Sequence, residues 1–338
     1  NLDPLVALVG GTVVGGEDLL ISLEAAVARV LEQDGLFAQT RDVKSCRLFW
    51  GCASPTGPHL ANLPHGAFVN HFPGTTAITH KHMLAERLRL HPEGDAIAPK
   101  TFILPAEAIQ FAAYDAEDNA SSADAGGARW IVKRAVGGEG RGTTVARDAN
   151  EALEWTRTDA GGRERTWVAQ KYVANPLAFE TQSDSSERLK ADLRAYVLLT
   201  RWNDDGTYTA YVYTDGLVRF AAKAWDPYDM DPRVHLTNNA AATDRTHEKA
   251  ATPTGDSSTW DPDAHFKRNW SFKSLQAELE KTRGHGSYDS VWAGVRRAAS
   301  VALSSLPKRE RDLSFECPSS IGDSPRRHFE LLGMDLLV

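Results

Sequence analysis

A chain of 338 residues, 42% hydrophobic and 25% charged, has the make-up of an ordinary globular protein and can hold one large α/β unit or two to three subdomains. A net charge of −7 argues against non-specific coating of nucleic acid but leaves room for a local basic groove. Cys46, Cys52 and Cys317 make no disulfide framework and match no zinc spacing, and no apolar run approaches the roughly 20 residues that cross a bilayer.

Taken in order, residues 1–70 read as a small α/β unit. Val6–Val14 is apolar, with Gly10-Gly11 and Gly15-Gly16 read as turns because they fit no phosphate-loop spacing. Asp18 to Leu36 carries Leu20, Leu23, Val27 and Leu31 on one face and predicts a helix stopped by Gly35. Arg47–Trp50 predicts a short strand and the Pro/Gly-rich run Ser54–Pro64 a loop. After Val69-Asn70-His71-Phe72-Pro73-Gly74, a helix is expected from His80 to Leu90. His80 and His82 are two apart, so on a helix they point to different faces and no metal pair is expected. Pro99–Pro105 reads as extended, Glu107–Tyr114 as a helix, and the small, polar Asp115–Ala128 as a flexible insertion.

Trp130-Ile131-Val132-Lys133 is a short strand ending in a lysine, followed by the loop Gly137–Gly142 and the β-branched Thr143-Thr144-Val145. A strand, not a helix, follows the loop, and no Gly-Lys-Ser/Thr is present, so neither a Rossmann nor a Walker loop is indicated. The pattern suits a β-hairpin lid over nucleotide phosphates, and equally a plain Gly-rich hairpin. Ala149–Thr156 predicts a helix. Thr166–Val173 predicts a strand entering the turn Asn175-Pro176-Leu177, either an adenine-holding hinge or a core strand.

Leu189–Phe220 reads as three strands, with Asn203–Gly206 and Thr214-Asp215-Gly216 as tight turns. Lys190, Asp192 and Arg194 alternate, so they share one strand face, while Leu189, Ala191, Leu193 and Ala195 take the other. Arg219, on the third strand, falls within reach of the charged face. A solvated strand alternates in the same way. Beyond His235-Leu236-Thr237-Asn238, the polar stretch Asp244–Asp263 is expected to be mobile, and Phe272–Lys281 and Tyr288–Leu306 to be helices. Lys308–Arg327 reads as a polar insertion. His328–Val338 is strand-like but interrupted by Asp335, which should be exposed at an edge, paired, or a metal ligand.

These segments, in this order, resemble the tubulin tyrosine ligase-like family. The resemblance rests on Trp130–Lys133 with its loop, Gln170–Val173 with Asn175–Leu177, Lys190-x-Asp192-Leu193-Arg194, Gly216–Phe220, His235–Asn238 and Gly333-Met334-Asp335. It implies an α+β protein of the ATP-grasp fold, two α+β lobes clamping ATP, with a small N-terminal α/β domain. On that basis residues 1–75 form the N-terminal domain, 76–182 the central lobe and 183–338 the C-terminal lobe. It also implies a ligase that phosphorylates a carboxylate with ATP and lets an amine displace the phosphate. Lys133, Arg141 and Gly142 would contact phosphates. Gln170, Lys171, Tyr172 and Val173 would hold adenine, with the Tyr172–Val173 backbone as hinge. Lys190 and Asp192 would bind the nucleotide, and Thr237 and Asn238 would reach its phosphoryl end. Arg194 and Arg219 would steady the amino acid or the acyl phosphate, and Asp335 would hold Mg²⁺.

Two departures from the family pattern stand out. Arg134 occupies the position after the loop-leading lysine, where the family usually has proline. The Leu-Glu-x-Asn segment that follows the Asp335 position in the family is absent, which leads to the expectation of a fragment or a degenerate member with weak ligase activity. Glutamate is the expected amino acid and acidic tubulin tails the expected acceptor. Glycine or tyrosine ligation, a pseudo-ligase that binds nucleotide or microtubules, and a small-molecule ATP-grasp ligase are the alternatives. The implied protein is a monomer engaging neither nucleic acid nor membrane, located in the cytoplasm on cytoskeletal microtubules, including those of a cilium or flagellum basal body. Arg87-Leu88-Arg89, Arg296-Arg297 and Arg326-Arg327 are candidates for a tail-binding groove, against a reading as solvated charge.

Overall fold

A computed structural model of the chain describes residues 5–9, 37–39, 44, 47–51, 63–64, 66–121, 126–138, 140, 142–159, 165–180, 186–203, 205–238, 269–307 and 327–338. The expected helix Asp18–Leu36, most of the Ser54–Pro64 loop, the 244–263 stretch, the bulk of the 308–327 insertion and Arg141 lie outside the described residues. Among the described residues no helix is long and apolar enough to cross a membrane.

The chain divides into two units. The first comprises Asn1–Thr76, Val197–Tyr211 and Leu306–Leu332. Its sheet contains β1 (Leu5–Val9), β2 (Phe37–Gln39), β3 (Leu48–Trp50), β4 (Phe68–Val69) and β13 (Arg327–His328), in the order β13-β4-β3-β1-β2. Each neighbouring pair is parallel. Asn70 joins the ends of two strands, taking the Gly51 N–H at 2.9 Å and giving its amide to the Gly51 carbonyl at 2.8 Å. His71 meets the buried Glu330 carboxylate at 3.1 Å. Burial pushes the His71 imidazole down, but the Glu330 hydrogen bond and charge outweigh it and hold it above its ordinary value.

The second unit comprises Ala77–Tyr196, Val212–Ser305 and Gly333–Val338. One of its sheets has the order β5-β8-β6-β7, built from β5 (Thr101–Leu104), β6 (Trp130–Arg134), β7 (Thr143–Ala146) and β8 (Trp167–Lys171). All neighbours are antiparallel. Phe102, Leu104, Trp130, Val132 and Trp167 pack with Phe111 of α2 (Ala108–Ser121) and Ala149 and Ala152 of α3 (Ala149–Asp159). A shorter helix, α1 (Lys81–Leu90), precedes β5.

Helix α2 corrects an expectation. Asp115–Ala128 was read as a flexible insertion, yet the helix runs through Asp115 to Ser121. Two of the polar residues there, Asp115 and Asp118, are anchored. Asp115 is 5% exposed and accepts from Trp130 Nε1 at 2.6 Å and from the first N–H of α3, on Ala149, at 2.8 Å. Asp118 pairs with Arg129 at 2.6 Å and with Lys171. A carboxylate at a helix N-terminus is favoured by the unpaired N–H groups and the dipole.

A further sheet of the chain has the order β12-β11-β10-β14, with β9 (Ala178–Glu180) also paired to β10. Its strands are β10 (Arg188–Trp202), β11 (Tyr208–Phe220), β12 (Trp270–Ser271) and β14 (Glu330–Leu336). Here the expected three-strand meander is corrected to two long strands. Asn203–Thr207 is a turn, with Gly206 N–H bonded to Asn203 O at 3.0 Å, but Thr214-Asp215-Gly216 is continuous strand. Asp215 turns its carboxylate to the Phe272 N–H, 2.8 Å away, and so caps α4 (Phe272–Arg283). Gly216 is required by packing, since a β-carbon there would come within 2.5 Å of the Arg194 carbonyl oxygen and 2.7 Å of the Phe272 ring. The first is backbone and the second a buried ring, so neither can yield cheaply. Gly216→Ala is therefore expected to destabilise the fold by about 1–3 kcal/mol. A thermal melt checks this, and an unchanged midpoint would contradict it.

On one face of β10, Leu189, Ala191, Leu193 and Ala195 are each at most 1% exposed and pack with Val218, Phe220, Trp270, Phe272, Leu275 and Val295 of α5 (Ser287–Ser304). On the other face Lys190 and Asp192 are 2% and 7% exposed. That burial rules out the solvated-strand reading, because charges out of water need partners.

Candidate functional site

The site lies in the second unit and is floored by β10. Lys190, Asp192 and Arg194 project from one face, as their alternation predicts. Lys190 Nζ donates to the Tyr172 hydroxyl at 3.0 Å and stands 4.3 Å from that ring's centre. On β6, Lys133 donates to Gln170 Oε1 at 3.0 Å, and Gln170 in turn donates to Thr101 Oγ1 at 3.0 Å. From the first residue of α1, Lys81 Nζ reaches the Gly137 carbonyl of the Gly-rich loop at 2.6 Å.

These lysines sense one another. Burial, then the charge of Lys81, lowers Lys133 to about 8, against the pull of Asp335 and Asp192. Burial, then the charge of Lys133, lowers Lys190 to about 8, against Asp192. Lys81 is lowered too, mainly by burial. Like charges this close, and partly withdrawn from water, raise the energy of the site.

Next to the lysines is a chain of ion pairs. Arg219, 7% exposed, donates Nε to Asp192 Oδ1 at 2.8 Å and its other arm to Asp192 Oδ2. The same arm lies 3.0 Å from Asp335 Oδ2. Arg194 holds Asp335 through both its Nε and its Nη2, the latter at 3.0 Å. Of the three outcomes expected for Asp335, two are observed together: it is 46% exposed on the edge strand β14, and it is paired with both arginines. Burial pushes the Asp335 carboxyl up, but the Arg194 hydrogen bond and the charges of Arg219 and Arg194 reverse this and hold it below the usual carboxylate range. Among the described residues no group of three His, Cys, Asp or Glu side chains is placed to hold a metal ion.

The Gly-rich loop joins β6 to β7. Gly142 has φ +65°, a conformation that favours glycine, and its carbonyl accepts the Arg134 N–H at 3.2 Å. A proline at 134 would lack that N–H, so arginine extends β6 by one hydrogen-bonded residue and its guanidinium stands 5.5 Å from the Trp167 ring centre. A β-carbon at Gly140 would stand 3.5 Å from Asn238, placing that side chain against the loop. Thr237 is buried beside it in sequence.

Lys171 is not brought to this cluster. Its ammonium pairs with Asp118 and lies 5.3 Å from the Trp130 ring centre, and its N–H is bonded to Lys100 O at 2.7 Å. The Tyr172 N–H is likewise committed, to Arg129 O at 2.8 Å. Of the basic pairs singled out for a groove, Arg89 binds Glu107 in two places and Arg297 binds Glu93 at 2.9 Å. Sequence reasoning missed three participants: Lys81, the Tyr172 hydroxyl and His235. Lys81 was only one residue of the expected helix His80–Leu90, and Tyr172 and His235 are 63 residues apart, so no local signal joins them.

The family model described as Tubulin-tyrosine ligase family matches residues 61–338. Probable tubulin polyglutamylase TTLL2 of Mus musculus is 30% identical over 246 residues, 70% of this chain and 42% of that protein. Tubulin polyglutamylase TTLL5 of Mus musculus is 28% identical over 300 residues, 84% of this chain and 19% of its own length. Tubulin polyglutamylase TTLL6 of Mus musculus is 25% identical over 322 residues, 93% of this chain and 34% of its own length. The chain thus spans less than half the length of these curated relatives. With the family model covering most of its residues, the chain belongs to the tubulin-tyrosine ligase family.

Proposed function

We propose that the chain has the ATP-grasp fold and uses ATP to join glutamate to the acidic C-terminal tails of tubulin through an acyl phosphate. The observation that carries this reading is the set of mutually repelling lysines, Lys81, Lys133 and Lys190, set beside the guanidiniums of Arg194 and Arg219. Such a set fits a polyphosphate, whose charge would relieve the repulsion. That these relatives are tubulin polyglutamylases supports tubulin as acceptor and glutamate as the amino acid.

In this reading Lys81, Lys133 and Lys190 hold the phosphates, Arg141 and Gly142 contact them as well, and Thr237 and Asn238 stand at the phosphoryl end. Gln170 to Val173 frame the adenine. Because the Tyr172 N–H is spent on Arg129, the base-edge donor is the Val173 N–H. A carboxylate oxygen attacks the γ-phosphorus, the bond to the bridging oxygen breaks, and ADP leaves. The amine nitrogen then attacks the acyl carbon, the C–O bond to phosphate breaks, and the amine proton passes to solvent. Fixed cations stabilise the charge spread over the transferred group. Arg194 and Arg219 receive the anionic substrate, which requires them to exchange Asp335 for it.

Mg²⁺ commonly accompanies ATP in phosphoryl transfer and would take oxygen ligands. Asp335 is the carboxylate offered at this position, but it is committed to two guanidiniums, and the described residues around it do not by themselves fit a magnesium site. The same clamp favours a second reading, a protein that binds nucleotide and microtubules without turnover. In this reading either version works on cytoplasmic microtubules, including those of cilia.

Incubating the chain with ATP, tubulin and each labelled amino acid separates the readings. Glutamate should enter tubulin only when ATP is present. Incorporation of glycine or tyrosine alone would overturn the glutamate assignment. ATP binding without any incorporation would favour the non-catalytic reading.

A further inference from the structure

In the second unit the Tyr172 hydroxyl is the meeting point of three other side chains. Lys190 Nζ stands 3.0 Å from it, Trp225 Nε1 3.4 Å, and His235 Nδ1 2.8 Å. On its far side the His235 ring meets the Asp229 carbonyl oxygen through Nε2. A carbonyl can only accept, so Nε2 carries the proton. In the neutral ring Nδ1 is then an acceptor, and the phenol must donate to it. The lone pairs of the phenol oxygen are left for Lys190 and Trp225, both of which can only donate. Polarity thus runs one way, from ammonium to phenol oxygen, from phenol proton to imidazole, and from imidazole proton to carbonyl.

The surroundings hold this arrangement. Lys190, Tyr172 and His235 are 2%, 6% and 2% exposed. The Tyr172 and His235 rings meet edge-on, with centroids 5.2 Å apart and planes at 87°. Burial, and then the Lys190 charge, keeps His235 below the ordinary imidazole value, although the Asp229 carbonyl and the Asp229 and Asp226 carboxylates favour the charged form. Burial pushes the Tyr172 phenol up to about 12, so it keeps its proton.

We propose that His235 is a positioning residue which, through Tyr172, fixes the Lys190 ammonium where a nucleotide anion is bound. The inference rests on the nucleotide reading of Lys190 given above. A lysine has a flexible four-carbon stem, and ordering it at the moment of binding costs affinity. A phenol oxygen whose own proton is tied to His235 presents a fixed acceptor, which removes that freedom beforehand. Rotation of the phenol proton toward Lys190 would oppose two donors, and His235 prevents it by claiming the proton.

The test is calorimetric titration of the full chain with ATP. Lys190→Ala should weaken binding about tenfold or more, and Tyr172→Phe and His235→Leu each about 5- to 20-fold. The double variant should be no weaker than the worse single, because both act through one contact. His235→Asn should bind within about twofold of the parent, since its amide oxygen takes the place of Nδ1 as acceptor. Should His235→Leu fail to fold, Tyr172→Phe decides, because it keeps the ring beneath Lys190 and loses only the hydroxyl. Weak binding by Lys190→Ala with parental binding by Tyr172→Phe overturns the inference alone. Equal losses in His235→Asn and His235→Leu also overturn it. Parental binding by Lys190→Ala overturns the nucleotide reading and the inference with it.

Discussion

Replacing Arg219 with methionine is expected to destabilise the fold by about 3–5 kcal/mol, the usual cost of stranding a buried charge. Arg219 is 7% exposed and neutralises Asp192, itself 7% exposed, through both arms of its guanidinium. Methionine fills the stem's volume but leaves the Asp192 carboxylate out of water with only the neighbouring lysines to balance it. Arg219→Lys should recover only part of the loss, because a point charge cannot make the two parallel bonds. Asp192→Asn combined with Arg219→Met should be more stable than Arg219→Met alone, since the stranded charge is gone. Denaturant unfolding followed by the fluorescence of the chain's nine tryptophans would measure all three. A parental midpoint for Arg219→Met would show that the pair contributes nothing to the fold.

The second large effect has the opposite sign for stability. Lys133 is lowered from 10.5 to about 8 in the folded chain. A base with a depressed folded pKa binds its proton more readily when unfolded, so its cost is fully present below about pH 8 and fades as pH rises toward 10.5. Lys133→Met keeps the apolar stem and removes the charge. It should stabilise the chain at neutral pH by about 1–3 kcal/mol. It should also flatten the rise in parental stability between pH 8 and 10.5. Ligase turnover should fall by about 10²–10³-fold, the loss typical of removing one fixed group that stabilises transition-state charge. A variant that is more stable and inactive would mark Lys133 as a residue kept for chemistry at the expense of the fold. Thermal melts across the pH range, with the incorporation assay, would check both halves; a destabilised variant, or one with parental turnover, would contradict the account.

Much of this site was legible in the sequence because strand alternation is a strong local rule. Lys190, Asp192 and Arg194 had to share a face, and the Trp130–Ala146 hairpin carried its own turn chemistry. The errors came where one local signal had two physical causes. Asp215-Gly216 looks like a turn, but the aspartate caps a helix 57 residues away and the glycine makes room for the ring of Phe272. Asp115 and Asp118 look like the start of a solvated loop, but they answer buried donors on Arg129, Trp130 and Ala149. The Tyr172–His235 contact and the approach of Lys81 to the loop depend on tertiary closure and leave no trace in spacing. The pairing of Asp335 with two arginines was open in the sequence, because an acidic residue in an apolar strand is compatible with an edge, a partner or a metal.

The claim that the lysine floor binds ATP is tested most directly by calorimetric titration with ATP at pH 8.5 in two buffers of different ionisation enthalpy. Lys133 and Lys190, both at about 8 and coupled to each other, then share well under two protons in the free protein. A bound polyphosphate must recharge them, so the account predicts net uptake of about one proton per ATP, shrinking as pH falls toward neutral. Binding with no proton uptake at pH 8.5, or no binding at all, would contradict it.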